Sequence, residues 1–407
     1  MKKLLTSSIA IVAVLAPAAA AAPVQAAGDA PAAPSASASK SVLDVLREAF
    51  YHPPKQLVPG PHGSVIWARP LSGDAAFQGA RNSLVVYRSR TPEGKQVAVS
   101  GTVSVPRGSA PKGGWPVISW LHGTTGTADV CAPSRDSATN PAHDYLQVMH
   151  TNLQRWIDRG YAVVATDYQG LGTDGVHSYL IGEAEGRASV DMVRAARRLS
   201  PALGRKWLAY GHSQGGHAAL FATDVADRWA PELDLVGAVG LAPGSQLSTF
   251  VPQIRNLPVE NIASFLPLII RGVETAGVST DGLLTPRAQA LMADADDRCI
   301  AQLRDAASWG TLKTNEVFQP GADFSAFDTV MAANEPGTLS PSVPVFLAQG
   351  DSDTTVLPGW TKTLASQLSS KGVSLTSTTY AGVDHRGVID ASYADVVPWV
   401  DALFGRV

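Results

Sequence analysis

The chain has 407 residues, 45% of them hydrophobic and 16% charged, with a formal net charge of −3. That balance fits a globular chain with a large core and excludes a disordered one; the near-neutral charge excludes the basic footprint of a nucleic-acid binder. No zinc-type Cys/His spacing and no GxxxxGK phosphate loop occurs, so neither a metal nor a nucleotide cofactor is expected.

Residues 1–26, MKKLLTSSIAIVAVLAPAAAAAPVQA, carry two lysines, an apolar run and then small residues. This is the pattern of a secretory signal peptide, with Val24 and Ala26 at −3 and −1 of the cleavage site, and it predicts a secreted, extracellular protein. An Ala/Pro/Ser-rich stretch follows, so 27–45 reads as a flexible linker. SLVVYRS and VAVSGTVSVP flank the turn sequence RTPEGKQ and predict an antiparallel hairpin. WPVISWLHG, YAVVATDY, KWLAYGHS, LVGAVGLAP and VPVFLAQG are apolar runs of buried-strand type, and VSLTSTTYAG is a more polar strand. LQRWIDRG, RASVDMVRAARRLS and GGHAALFATDVADRWA have helical spacing between them, and SYADVVPWVDALF reads as a closing helix that Pro398 should end or kink.

A hairpin followed by βαβ units predicts an α/β fold: a mostly parallel sheet flanked by helices. The alternation stops over 246–340, where helical pieces occur without a convincing strand. That stretch is expected to be a helical cap inserted between two parts of the sheet domain, 46–245 and 341–407. Within the cap, IASFLPLII (262–270) reads either as a lid meeting a lipid surface or as the buried side of a cap helix. DYQGLGTDG (167–175) is either a pocket wall or a structural loop.

Gly211-His212-Ser213-Gln214-Gly215 matches G-x-S-x-G between a strand and a helix, the context in which a serine is exposed on a sharp turn as a nucleophile. A nucleophile needs a base, and the base an orienting acid. Downstream strands end in GDSDTTV and AGVDHRGV, giving the order Ser213, Asp353, His385. Asp351 is the alternative acid, with a turn-forming role if it is not. His217, four residues after Ser213, lies on the helix rather than at a strand end, and His212 sits on the far side of the turn; neither is preferred as base. The backbone N–H of Gln214 is one expected oxyanion donor, and the HGTTG loop supplies the second from Thr124, with Thr125 the alternative. Cys131 and Cys299 are the two cysteines, and in an exported chain an even pair is most simply a disulfide.

HGTTGTADVC, ATDYQGLG, GHSQGGHAALFA, GDSDTTVLP and DHRG together resemble the secreted bacterial members of the secretory lipase family of α/β-hydrolases. The resemblance implies an α/β-hydrolase fold with a cap over an acyl pocket, and serine-type ester hydrolysis without metal or cofactor. It places Ser213, Asp353 and His385 at the triad positions, and Thr124 and Gln214 at the oxyanion positions. The expected partners are an ester or lipid substrate, acylglycerols first, and a transient lipid interface met through the cap. No oligomeric state follows from the sequence. An acyltransferase, a polyester or cell-wall ester hydrolase on the same triad, and a non-catalytic binding protein on the same fold are the competing readings.

Overall fold

The computed structural model describes residues 42–260 and 262–406. The expected leader (1–26) and most of the expected linker lie outside the described residues. Residues 42–45, assigned to the linker from composition, instead lie in helix α1 (Val42–Ala49); Val42, Val45, Leu46 and Ala49 fall at the i, i+3, i+4, i+7 spacing of a helix, which the Ala/Pro/Ser bias upstream masked.

Nine strands form a single sheet in the order β1-β2-β3-β5-β4-β6-β7-β8-β9. Strand β1 (Val65–Pro70), absent from the sequence reading, pairs antiparallel with β2 (Ala80–Arg90), and β2 with β3 (Gln96–Pro106). From β4 (Trp115–Leu121) and β5 (Ala162–Thr166) through β6 (Leu203–His212), β7 (Asp234–Leu241), β8 (Val345–Gly350) and β9 (Leu375–Tyr380) the pairing is parallel. The alternation of strand side chains sorts the core into two layers. In β4, Val117 and Leu121 pack beside α3 (Gly182–Leu199) and α4 (Gln214–Trp229), whereas Ile118 and Trp120 pack beside α2 (His143–Asp158).

Between β7 and β8 the chain forms α5 (Leu247–Ile254), α6 (Leu266–Thr275), three short helices α7 (Pro286–Leu291), α8 (Asp294–Asp297) and α9 (Ile300–Leu303), and α10 (Ser325–Ala333). These helices enclose an apolar cluster of their own that includes Ile269, Leu303, Trp309 and Phe327. Pro267 sits in the first turn of α6, where its missing N–H costs nothing. The 262–270 run is thereby largely buried: Leu266, Leu268 and Ile270 are all at 0% exposure.

After β8, α11 (Pro358–Ser370) covers the same layer as α3 and α4, and α12 (Val388–Ala391) leads into α13 (Tyr393–Phe404). Pro398 does not end α13. Buried Tyr393, Val396 and Val400 pin the helix on both sides of the proline, and that packing outweighs one lost hydrogen bond. Among the described residues no helix is long and apolar enough to cross a membrane.

Candidate active site

Ser213 stands between β6 and α4 with φ +57° and ψ −117°, a conformation that side chains rarely adopt. Its own backbone is tied down: the N–H donates to Leu241 O at 2.8 Å, and the carbonyl accepts from His217 N at 3.1 Å and Gly244 N at 3.0 Å. The flanking glycines are required by close approach. A Cβ on Gly215 would lie 1.8 Å from Leu121 O, and one on Gly211 would lie 2.0 Å from Gly215 O. Helix α4 therefore rests directly on the end of β4, with its N-terminus at the serine.

His385 Nε2 lies 3.0 Å from Ser213 Oγ, and His385 Nδ1 lies 2.7 Å from Asp353 Oδ2. The other Asp353 oxygen accepts from the N–H groups of Thr355 (2.8 Å) and Val356 (3.0 Å), and Oδ2 also accepts from Gln349 Nε2 at 3.0 Å. Burial works against the charge on Asp353, but the bonds from His385 and the two N–H groups outweigh it and hold the carboxyl below its ordinary range. Asp351 is exposed and makes a turn instead, accepting from Gly382 N at 2.6 Å. Ser213, Asp353 and His385 are thus brought together, and Asp351 is not.

His217 is buried away from the serine hydroxyl, with Nε2 donating to Asn334 O at 2.9 Å and Nδ1 at 2.8 Å from Glu185 Oε2. Glu185 Oε1 accepts from the Gln214 side chain at 2.8 Å, and Gln214 Nε2 also lies 3.0 Å from His177 Nε2. The residue that carries the first expected oxyanion donor is therefore fixed from below by its side chain. Its backbone N–H is at the first position of α4, where a helix offers no acceptor of its own.

Thr124 lines the same cleft as Ser213, and its hydroxyl lies 2.7 Å from Tyr179 Oη. Thr125 is buried, and its carbonyl accepts from Ile300 N at 2.8 Å, tying the loop to α9. The disulfide Cys131–Cys299 (Cα–Cα 5.5 Å) joins the same two regions. A set of bonds missed in the sequence runs beneath the loop. Gly123 N donates to Tyr145 Oη at 3.0 Å, the tyrosine hydroxyl donates to His212 Nδ1 at 2.7 Å, and His212 Nε2 donates to His385 O at 2.7 Å. Since the carbonyl accepts, Nε2 carries the proton and Nδ1 is the acceptor. Burial, and after it the charge on His385, keep His212 well below the usual histidine range, in keeping with a neutral ring. Nothing in the α2 sequence marks Tyr145, because its partners come from two other segments.

Two cavities meet at Ser213. One, of about 80 Å³, is apolar and lies between α5, α6 and α11, with Leu247, Phe250, Ile269 and Trp360 on its walls. The other, of about 210 Å³, is polar and open, lined by Thr124, Tyr145, Arg304, Asp384 and Arg386 beside His385. The loop 167–175 lines neither; Asp167 is buried and accepts from Ser100 Oγ at 2.6 Å and Ser134 N at 2.9 Å, a structural role. Among the described residues no group of three His, Cys, Asp or Glu side chains is placed to hold a metal ion.

A mixed sheet of this order with a serine on the β6–α4 turn is an α/β-hydrolase fold. The structure of Candida antarctica lipase A in its closed state matches it with a TM-score of 0.73 at 20% identity, over 88% of this chain and 86% of that one. Residues 142–406 match the secretory lipase model, and the chain belongs to the secretory lipase family. It is similar to lipase A of Moesziomyces aphidis, 31% identical over 212 residues, and to the secreted triacylglycerol lipase LIP7 of Malassezia globosa, 24% identical over 374 residues. The first match covers 50% of this chain and 44% of the Moesziomyces protein; the second covers 86% of this chain and 77% of the Malassezia protein.

Proposed function

We propose that this protein is a secreted serine ester hydrolase acting on acyl esters, acylglycerols among them, with Ser213, His385 and Asp353 as its triad. One observation carries the reading: the Ser213–His385–Asp353 hydrogen-bond chain of 3.0 and 2.7 Å stands where an apolar and a polar cavity meet. The acyl chain enters the apolar side between α5 and α6, and the alcohol lies in the open cleft.

Ser213 Oγ attacks the ester carbonyl while His385 Nε2 takes its proton; Asp353 holds Nδ1 protonated and stabilises the imidazolium. The oxyanion is met by the N–H groups of Gln214 and Thr124 at the positive end of α4. His385 then returns the proton to the departing alcohol and activates water against the acyl-enzyme. Because the 262–270 run is buried, contact with a lipid surface through the cap requires the cap to open. A jump in rate as an ester passes its solubility limit tests that part, and smooth saturation removes it.

Ser213→Ala is expected to abolish fluorophosphonate labelling and to lower kcat by several orders of magnitude on p-nitrophenyl esters. Turnover within about tenfold of the parent enzyme overturns the assignment.

A further inference from the structure

The polar cleft holds two guanidinium groups. Arg304, just past α9, and Arg386, next to His385, both keep solvent access and both line the cleft that contains Ser213. Neither guanidinium is in an ion pair or a hydrogen bond among the described residues. Each lies instead against an aromatic ring: Arg304 Cζ is 5.3 Å from the Phe265 ring centre and Arg386 Cζ 5.2 Å from that of Tyr145. Most other arginines described here are paired, as Arg135 is with Glu48, Arg194 with Glu232 and Arg255 with Asp328. The carboxylate that also lines the cleft, Asp384, has Oδ1 engaged by Gly387 N at 2.7 Å. Desolvation, and after it the positive charge of Arg386, hold Arg304 below its ordinary value. With Asp384 the cleft lining holds two cationic side chains and one carboxylate, an excess of one positive charge; the two guanidinium groups repel each other, and an anion between them relieves that cost.

We infer that the alcohol side of this site takes an anionic group: the preferred substrates are esters whose leaving alcohol bears a phosphate or carboxylate, held by Arg304 and Arg386 while the acyl chain occupies the apolar pocket. The inference rests on the ester-hydrolase reading above. Planar guanidinium forks fit both oxyanions, and two of them fit a phosphate monoester best. No new bond is involved; the anion departs with the alcohol when the acyl-enzyme forms.

The test compares three octanoyl esters at concentrations below aggregation: of glycerol, of glycerol 3-phosphate and of glyceric acid. The full-length mature protein is expected to show kcat/KM about tenfold or more higher for an anionic ester than for the glycerol ester, as one charge-assisted contact provides. The phosphate and carboxylate arms identify which anion is preferred. Arg304→Gln is expected to lower the anionic-to-neutral ratio about tenfold, and Arg386→Gln to lower it as well. Inorganic phosphate is expected to inhibit competitively, less so as salt rises. A parent enzyme that labels with fluorophosphonate and hydrolyses the glycerol ester, yet shows no anionic preference, overturns this inference while leaving the ester-hydrolase reading intact. Absence of both labelling and hydrolysis overturns the latter.

Discussion

At the scale of single residues, the histidines illustrate how partners decide roles. His212 and His217 both lie within four positions of Ser213, and each has both ring nitrogens engaged elsewhere. His385 comes from 172 positions away and faces the hydroxyl. Tyr145 is the residue whose removal best tests the bonds beneath the site. In Tyr145→Phe the Gly123 N–H and His212 Nδ1 both lose a buried partner, a cost of about 1–3 kcal/mol for each group left unpaired. The loop carrying Thr124 and the backbone of His385 are both loosened. We expect kcat on a short p-nitrophenyl ester to fall at least about tenfold while KM changes less than about twofold. A loss of thermal stability with kcat unchanged would show the bonds to be structural.

At the scale of elements, the site depends on how closely the ends of β4, β6 and α4 approach. Glycine at 211 and 215 is what permits that approach, so the G-x-S-x-G spacing is a packing requirement as much as a chemical one. The loop after β4 that carries Thr124 and Thr125 is held from the other side by the helical insertion, through Thr125 O to Ile300 N and through the nearby disulfide. Cys131→Ser/Cys299→Ser opens a link spanning 168 residues and is expected to cost about 2–5 kcal/mol of stability. Thermal unfolding of the double variant beside the parent checks this. A melting temperature unchanged within error would show that the hydrogen bonds alone fasten the loop to the cap.

For the molecule as a whole, buried histidines are expected to weaken the fold in acid. Burial pushes His122 down to about 4 and His177 down to about 3. Their unfolded forms titrate near 6.5, so as pH falls through that value the unfolded chain binds protons the folded chain refuses. Stability from these groups is complete above about pH 6.5 and falls by about 1.4 kcal/mol per pH unit for each, until the folded values are reached. Burial lowers His52, but its bonds to Glu48 and Asp174 together outweigh that, and the bond to Asp136 raises His143, so both work the opposite way near the surface. Asp353, lowered on folding, adds a loss at lower pH, as pH falls through its folded value. The melting temperature is therefore expected to drop between pH 7 and pH 5. His177→Gln, which keeps a donor and an acceptor without the titration, should flatten the drop; equal slopes in the two proteins refute the assignment.

The chain order of strands and helices, the turn at Ser213 and the downstream positions of Asp353 and His385 were legible from local pattern, because apolar periodicity and glycine spacing are properties of short segments. Strand β1 was missed because VIWARP is short, half-exposed and ends in proline, and α11 because its apolar spacing is weak. The choice of Asp353 over Asp351 was an argument about reach in the sequence and a matter of hydrogen bonds in the structure. What the tertiary structure decided is everything that needs distant segments to meet. Tyr145 joins the loop after β4 to His212, Glu185 anchors Gln214, the 262–270 run is largely buried, and Arg304 from the helical insertion lines the same cleft as Arg386 from the loop after β9. No local signal marks these, since each residue is ordinary in its own segment and acquires its role from a neighbour that the fold alone supplies.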